Sequence, residues 1–184
     1  MGGKVYQDSI IVPNKCGSRY FNEINNFIGQ PKIVNLFSNN INWEKIKYVV
    51  IRNPYEIFYS ALHTEYFNID RRGIENIINR ISDNKFGDEH FNSRFYYKLF
   101  EKWEIYKFKI INIENLTDFV KKISGLDIKL EEKKHTYLQF SKIITKEDTY
   151  NFFLEKYPVE IKKTLQYIEE DMVWYEMLKS KEDI

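Results

Sequence analysis

The stretch Lys47-Tyr48-Val49-Val50-Ile51-Arg52-Asn53-Pro54-Tyr55-Glu56-Ile57-Phe58-Tyr59-Ser60-Ala61-Leu62 decides the fold. Residues 48–51 are continuously apolar and mostly β-branched, the pattern of a parallel strand covered on both faces. Asn53 then offers a side-chain oxygen as an N-cap, and Pro54 suits the first helical position. A helix is therefore predicted from Pro54 to about Tyr66. A strand running straight into a helix is half of a βαβ unit, and the rest of the chain repeats the arrangement. Residues 9–12 form a short apolar run stopped by Pro13, residues 32–37 a second strand, and residues 108–113 a last one. Tyr20, Phe21, Ile24, Phe27 and Ile28 keep helical spacing, and Gly29 closes that helix. One turn is predicted at 42–46, with further helices over 72–81, 90–106, 115–123, 146–157 and 158–178. Residues 126–145 show no clear period. Strands separated by helices predict a three-layer α/β domain with a central parallel sheet, and ligands at the carboxyl ends of its strands.

The chain has 184 residues, the size of a single domain, and no repeat or Pro/Gly-rich linker divides residues 1–184. Its 28 basic and 27 acidic side chains leave a net charge of +1, which argues against a nucleic-acid binder. One cysteine excludes a disulfide framework within the chain and a Cys-rich zinc site. No apolar signal-peptide core follows the start, and no run approaches the ~18 apolar residues of a membrane helix. Gln7 stands where a myristoylation signal places Ser or Thr. The expectation is a soluble cytoplasmic protein with no membrane partner. Lys outnumbers Arg by 22 to 6, so each Arg draws notice for its fixed fork of donors.

Two motifs fall at two strand ends. After the first predicted strand comes Pro13-Asn14-Lys15-Cys16-Gly17-Ser18-Arg19-Tyr20. A loop with Gly and a hydroxyl residue that opens a helix turns free backbone N–H groups toward an anion, and Lys15 adds a mobile charge. The Lys precedes the Gly, unlike the G-x-x-x-x-G-K-[ST] of nucleoside-triphosphate loops. After the strongest strand, Arg52 sits at the strand tip and Ser60 lies two turns into the next helix, a spacing that can hold one phosphate between them.

Together the pair resembles the family of sulfotransferases that use 3′-phosphoadenosine 5′-phosphosulfate (PAPS), in its carbohydrate sulfotransferase-like branch. Lys15-Cys16-Gly17-Ser18 looks like their 5′-phosphosulfate loop, and Arg52-Asn53-Pro54-Tyr55 through Ser60-Ala61 like their 3′-phosphate motif. Asp88-Glu89-His90-Phe91, Ile113-Glu114-Asn115-Leu116 and the run from Tyr167 to Tyr175 are similar to later elements of that branch. The chain departs from the pattern at Asn14, at Arg19 and Tyr20, and at Ile57, where a second Arg is frequent.

The resemblance implies a P-loop-like sulfotransferase fold and transfer of a sulfonate from PAPS to an acceptor hydroxyl on a small molecule or glycan. By that resemblance, Lys15 stabilises the leaving phosphate oxygen, and backbone groups from Cys16 to Tyr20 with the Ser18 hydroxyl cradle the 5′-phosphate. Arg19 adds charge to the sulfonate or stacks on the adenine. Arg52 and Ser60 grip the 3′-phosphate. No metal is required. His90 is the favoured general base, its ordinary pKa of ~6.5 suiting the task; His63, Glu65 and Asp88 are the alternatives. Residues 135–142 are expected to cover the cofactor, with Lys142 as a phosphate contact.

Other readings stand beside this one. A cysteine phosphatase needs an Arg six positions after the nucleophile, and Asn22 stands there instead. A small-molecule kinase lacks its GK[ST] signature. A degenerate nucleotide-binding module without catalysis is the non-enzymatic alternative. Phe91, Phe95, Tyr96, Leu99 and Trp103 read as core packing, and Arg71-Arg72 as a solvated pair.

Overall fold

The computed structural model describes residues 2–13, 16, 21, 24, 28–36, 41–82, 95–126 and 144–182. Five strands form one sheet: β1 (Gly2–Tyr6), β2 (Ile10–Pro13), β3 (Lys32–Asn35), β4 (Tyr48–Ile51) and β5 (Lys109–Asn112), in the order β3-β1-β2-β4-β5. The helices flanking it are α1 (Pro54–Tyr66), α2 (Ile69–Arg72), α3 (Ile74–Ser82), α4 (Phe95–Tyr106), α5 (Leu116–Ser124), α6 (Lys146–Lys156) and α7 (Pro158–Lys179). The α/β class expected from the sequence is present.

The sheet is mixed rather than wholly parallel. β2, β4 and β5 run parallel, whereas β1 is antiparallel to both β2 and β3. The strand β1 is absent from the sequence-based expectation for a physical reason. Its turn to β2 puts Gln7 and Asp8 at φ of 50° and 53°, with the Ser9 N–H bonded to the Tyr6 carbonyl at 3.0 Å. Such left-handed pairs normally announce themselves as Asn-Gly or Asp-Gly, and Gln-Asp does not. Gly3 is needed there for another reason: a Cβ on it would lie 2.9 Å from Leu36 Cδ2 and 3.2 Å from the Val12 carbonyl. β3 is correspondingly an edge strand, with Ile33 almost fully exposed, rather than a buried parallel one.

β2 and β4 form the centre of the core. Ile10, Ile11, Val12, Val49, Val50 and Ile51 are buried, and each contributes about 1.5–3 kcal/mol relative to exposure. Phe21, Ile24 and Ile28, three apolar positions of the helix predicted before Gly29, are buried as well; the remainder of that predicted helix lies outside the described residues. Phe119 of α5 packs on Tyr48 with ring centres 4.9 Å apart. A second cluster lies between helices, where Phe58, Ala61 and Leu62 of α1 meet Ile77, Ile78 and Ile81 of α3, Phe153 of α6 and Ile161 of α7.

Several helix ends follow their sequence signals. Asn53 Oδ1 accepts the Tyr55 N–H at 2.9 Å, so α1 starts where the Asn-Pro pair places it. The turn Trp43–Lys45 is capped by Asn42, and Gly125 closes α5 in the left-handed region. The helix expected over 72–81 starts two residues later, as α3, and the short helix α2 before it was not expected. Gly73, at φ 75°, separates α2 from α3, and the Cβ-free residue takes that conformation without strain.

Candidate functional site

The parallel strands end together. Ile51 pairs with Asn112, and Ile11 pairs with Val49, so Pro13, Ile51 and Asn112 lie level along the carboxyl edge. Three segments leave the sheet there: the turn that holds Cys16, the Arg52-Asn53 link into α1, and the turn Ile113–Asn115. The Cys16 N–H bonds back to the Pro13 carbonyl at 3.1 Å. Pro13 and Cys16 of the first motif and Arg52 of the second therefore lie at one edge of the sheet.

Arg52 is the best-defined residue of this edge. Its backbone N–H donates to the Tyr96 hydroxyl at 3.1 Å, and the same hydroxyl donates to the Arg52 carbonyl. One side chain thus occupies both backbone groups where the ladder stops, the point at which orphaned groups are costly. The Arg52 side chain is only 17% exposed, so it is not a solvated surface residue. Its Nη2 lies 3.0 Å from Glu56 Oε2, and Lys146 Nζ on α6 lies 3.8 Å from that same oxygen. Ser60, half-buried, stands four residues beyond Glu56 on the same face of α1. Tyr55, Tyr59 and Tyr150 form an aromatic group beside this face, Tyr59 and Tyr150 meeting edge to face at 5.1 Å.

Cys16 is fully buried within electrostatic reach of Arg52 and Tyr96. Burial pushes its thiol up to about 12, against the opposing pull of the Arg52 charge. Burial thus favours the neutral thiol over the thiolate that a cysteine phosphatase needs.

The support behind Tyr96 comes from α7. Asp171, buried, accepts the backbone N–H groups of Phe95 at 3.2 Å and Tyr96 at 3.3 Å, capping the start of α4. Burial holds its carboxyl up at about 7, although those backbone bonds pull the other way. Tyr175, one turn further along, meets the Tyr96 ring edge-on at 5.4 Å, and its hydroxyl accepts from Asn112 Nδ2 at 3.3 Å. Glu182 accepts the Asn112 N–H at 2.7 Å and Asn115 Nδ2 at 3.0 Å. The Tyr167-to-Tyr175 run is thereby a scaffold for the carboxyl edge. Tyr96 was legible only as core; the one available hint is that a buried Tyr needs a partner for its hydroxyl.

Of the expected site residues, Cys16, Arg52 and Ser60 lie among those described. Lys15, Gly17, Ser18, Arg19, Tyr20 and His90 lie outside the described residues, as do Asp88, His135 and Lys142. His63 sits one turn beyond Ser60, its ring edge-on to Phe67 at 5.0 Å. Glu65, weighed as a base, is 4% exposed. Arg72 Nη1 reaches its two oxygens at 2.7 and 2.9 Å, and Arg80 Nη1 lies at 3.5 Å. Arg72 is accordingly half of a part-buried ion pair and not part of a solvated Arg71-Arg72 pair, because the short turn after α1 brings it to the buried Glu65 carboxylate seven residues back.

No family model, curated protein or solved structure matches this chain. Among the described residues no helix is long and apolar enough to cross a membrane.

Proposed function

We propose that this chain is a PAPS-dependent sulfotransferase with a P-loop-like fold, acting on an acceptor hydroxyl of a carbohydrate. The observation that carries the reading is the meeting of the Cys16 turn and Arg52 at the carboxyl edge of parallel strands, with Ser60 two turns up the same helix. Ligands of open α/β sheets bind at that edge. In this reading Arg52 and Ser60 hold the 3′-phosphate. The loop from Lys15 to Tyr20, through Cys16, Gly17, Ser18 and Arg19, receives the 5′-phosphosulfate. The bond from sulfur to the bridging phosphate oxygen breaks, a bond from sulfur to the acceptor oxygen forms, and the acceptor proton passes to a base. Charge gathers on the departing phosphate oxygen, where Lys15 neutralises it; fixed electrostatics of this kind are the dominant contribution in such transfers.

The base in this reading is His90. Glu65 is unsuited to the role, since two arginines already engage its carboxylate. With Glu65 removed from the candidate bases, the second reading is a PAP-binding module without catalysis.

Titration calorimetry with PAP and with ADP, both in EDTA, tests the cofactor. Strong preference for PAP supports the reading, and equal or absent binding overturns it. Turnover of PAPS with a panel of glycan acceptors then separates enzyme from binding module. His90→Ala is expected to abolish transfer and spare PAP binding.

A further inference from the structure

Glu56 stands where the ligand's phosphate would sit in the reading above. Its Oε2 is 3.0 Å from Arg52 Nη2 and 3.8 Å from Lys146 Nζ, so one carboxylate oxygen lies between a cation of the β4–α1 link and a cation of α6. The two partners differ in freedom. Arg52 is 17% exposed and its backbone is clamped by Tyr96, whereas the side chains of Glu56 and Lys146 are about half exposed. The guanidinium is thus the fixed member, and the carboxylate and the ammonium are the ones able to move. Lys146 opens α6, whose capping box, built from Thr145 and Asp148, holds its backbone in place while the Lys stem stays at the surface.

We propose that Glu56 is a built-in occupant of the Arg52 anion site, an affinity-tuning residue that a bound phosphate displaces onto Lys146. This rests on the assignment of Arg52 to the 3′-phosphate. The chemistry selects for charge. A phosphate dianion carries more charge than the carboxylate and presents several oxygens to the guanidinium, so it competes with Glu56 for Arg52. A neutral ribose hydroxyl offers no such replacement, and Arg52 keeps Glu56. The exchange sets how much phosphate charge is needed to open the site, at the expense of absolute affinity for nucleotides with a 3′-phosphate. Lys146 lowers that expense by accepting the released carboxylate, which otherwise remains beside the incoming phosphate and repels it.

The experiment is calorimetric titration of PAP and ADP into the wild type, Glu56→Gln, Lys146→Met and the double variant. Glu56→Gln is expected to tighten PAP roughly three- to tenfold, the scale of a partly exposed charge pair, and to leave ADP unchanged. Lys146→Met is expected to weaken PAP by a similar factor in the wild-type background and by much less beside Glu56→Gln, a coupling that independent surface charges do not show. PAP affinity unchanged or weakened in Glu56→Gln overturns the proposal, as does a Lys146→Met effect of equal size in both backgrounds. Failure of the sulfotransferase reading shows itself separately, as wild-type and variant proteins that both ignore the 3′-phosphate. In that case titration with inorganic phosphate, followed through the Arg52 guanidinium resonances, still decides the displacement. Tighter phosphate binding in Glu56→Gln supports it, and equal binding overturns it.

Discussion

The Tyr96 hydroxyl closes on the backbone of Arg52 from both sides, accepting its N–H and donating to its carbonyl, across 44 residues of sequence. The strand tip that presents Arg52 is therefore fixed by a helix from a distant part of the chain. Asp171 and Tyr175 of α7 hold that helix and that ring in turn.

Removing the hydroxyl takes its two hydrogen bonds away from the part-buried Arg52 backbone. Tyr96→Phe should cost about 1–3 kcal/mol in urea unfolding, the scale for orphaned buried polar groups. It should also reduce the preference for PAP over ADP, because Arg52 loses its fixed backbone. A destabilised variant with an unaltered preference would reduce Tyr96 to a packing residue.

Arg52→Ala should weaken PAP by about 2–5 kcal/mol, the range for truncating one partner of a buried charge-assisted pair. ADP affinity should change little. Equal losses for both nucleotides would place Arg52 on a group they share.

Asp171 makes stability depend on pH. Its carboxyl is raised from 3.8 to about 7 in the folded chain, so the folded state holds a proton that the unfolded state releases. The contribution is complete below about pH 4 and is lost as pH rises through 7. Three units correspond to a free energy on the order of 4 kcal/mol. Asp171→Asn keeps a capping oxygen without the titration. The stability of the wild type relative to this variant should fall between pH 4 and 7 and level off above pH 8. Urea midpoints that run parallel over that range would contradict the assignment.

Glu65 should matter for folding and not for ligands. Glu65→Gln leaves Arg72 and Arg80 able to reach water, since both are about one-third exposed, so a loss of roughly 1–2 kcal/mol is expected. PAP affinity and any PAPS turnover should stay at the wild-type level. A large fall in turnover at unchanged stability would return Glu65 to consideration as the base.

Local sequence was enough for the core strands β2, β4 and β5 and for the start of α1. Continuous β-branched runs, an Asn-Pro helix start and a Gly stop act over a few residues, so their effect is visible without the fold. The positions of Cys16 and Arg52 at strand ends were legible for the same reason. Other features were decided only by tertiary structure. The Gln7-Asp8 turn carries no strong local signal, and β1 gains its place from pairing with two strands and from the close approach of Gly3 to Leu36. Arg72 looked like one of a solvated pair until the fold brought Glu65 beneath it. Tyr96 and Asp171 look like a core aromatic and a helix-surface acid. Their roles come from partners 44 and 75 residues away. A hydrogen bond or ion pair between distant segments leaves no period or spacing in the sequence, because it depends on where packing carries two backbones. The sequence by itself determined β2, β4, β5 and the start of α1 and put Cys16 and Arg52 at the carboxyl edge, whereas the tertiary structure alone decided what holds Arg52 there and that Glu56 lies against it.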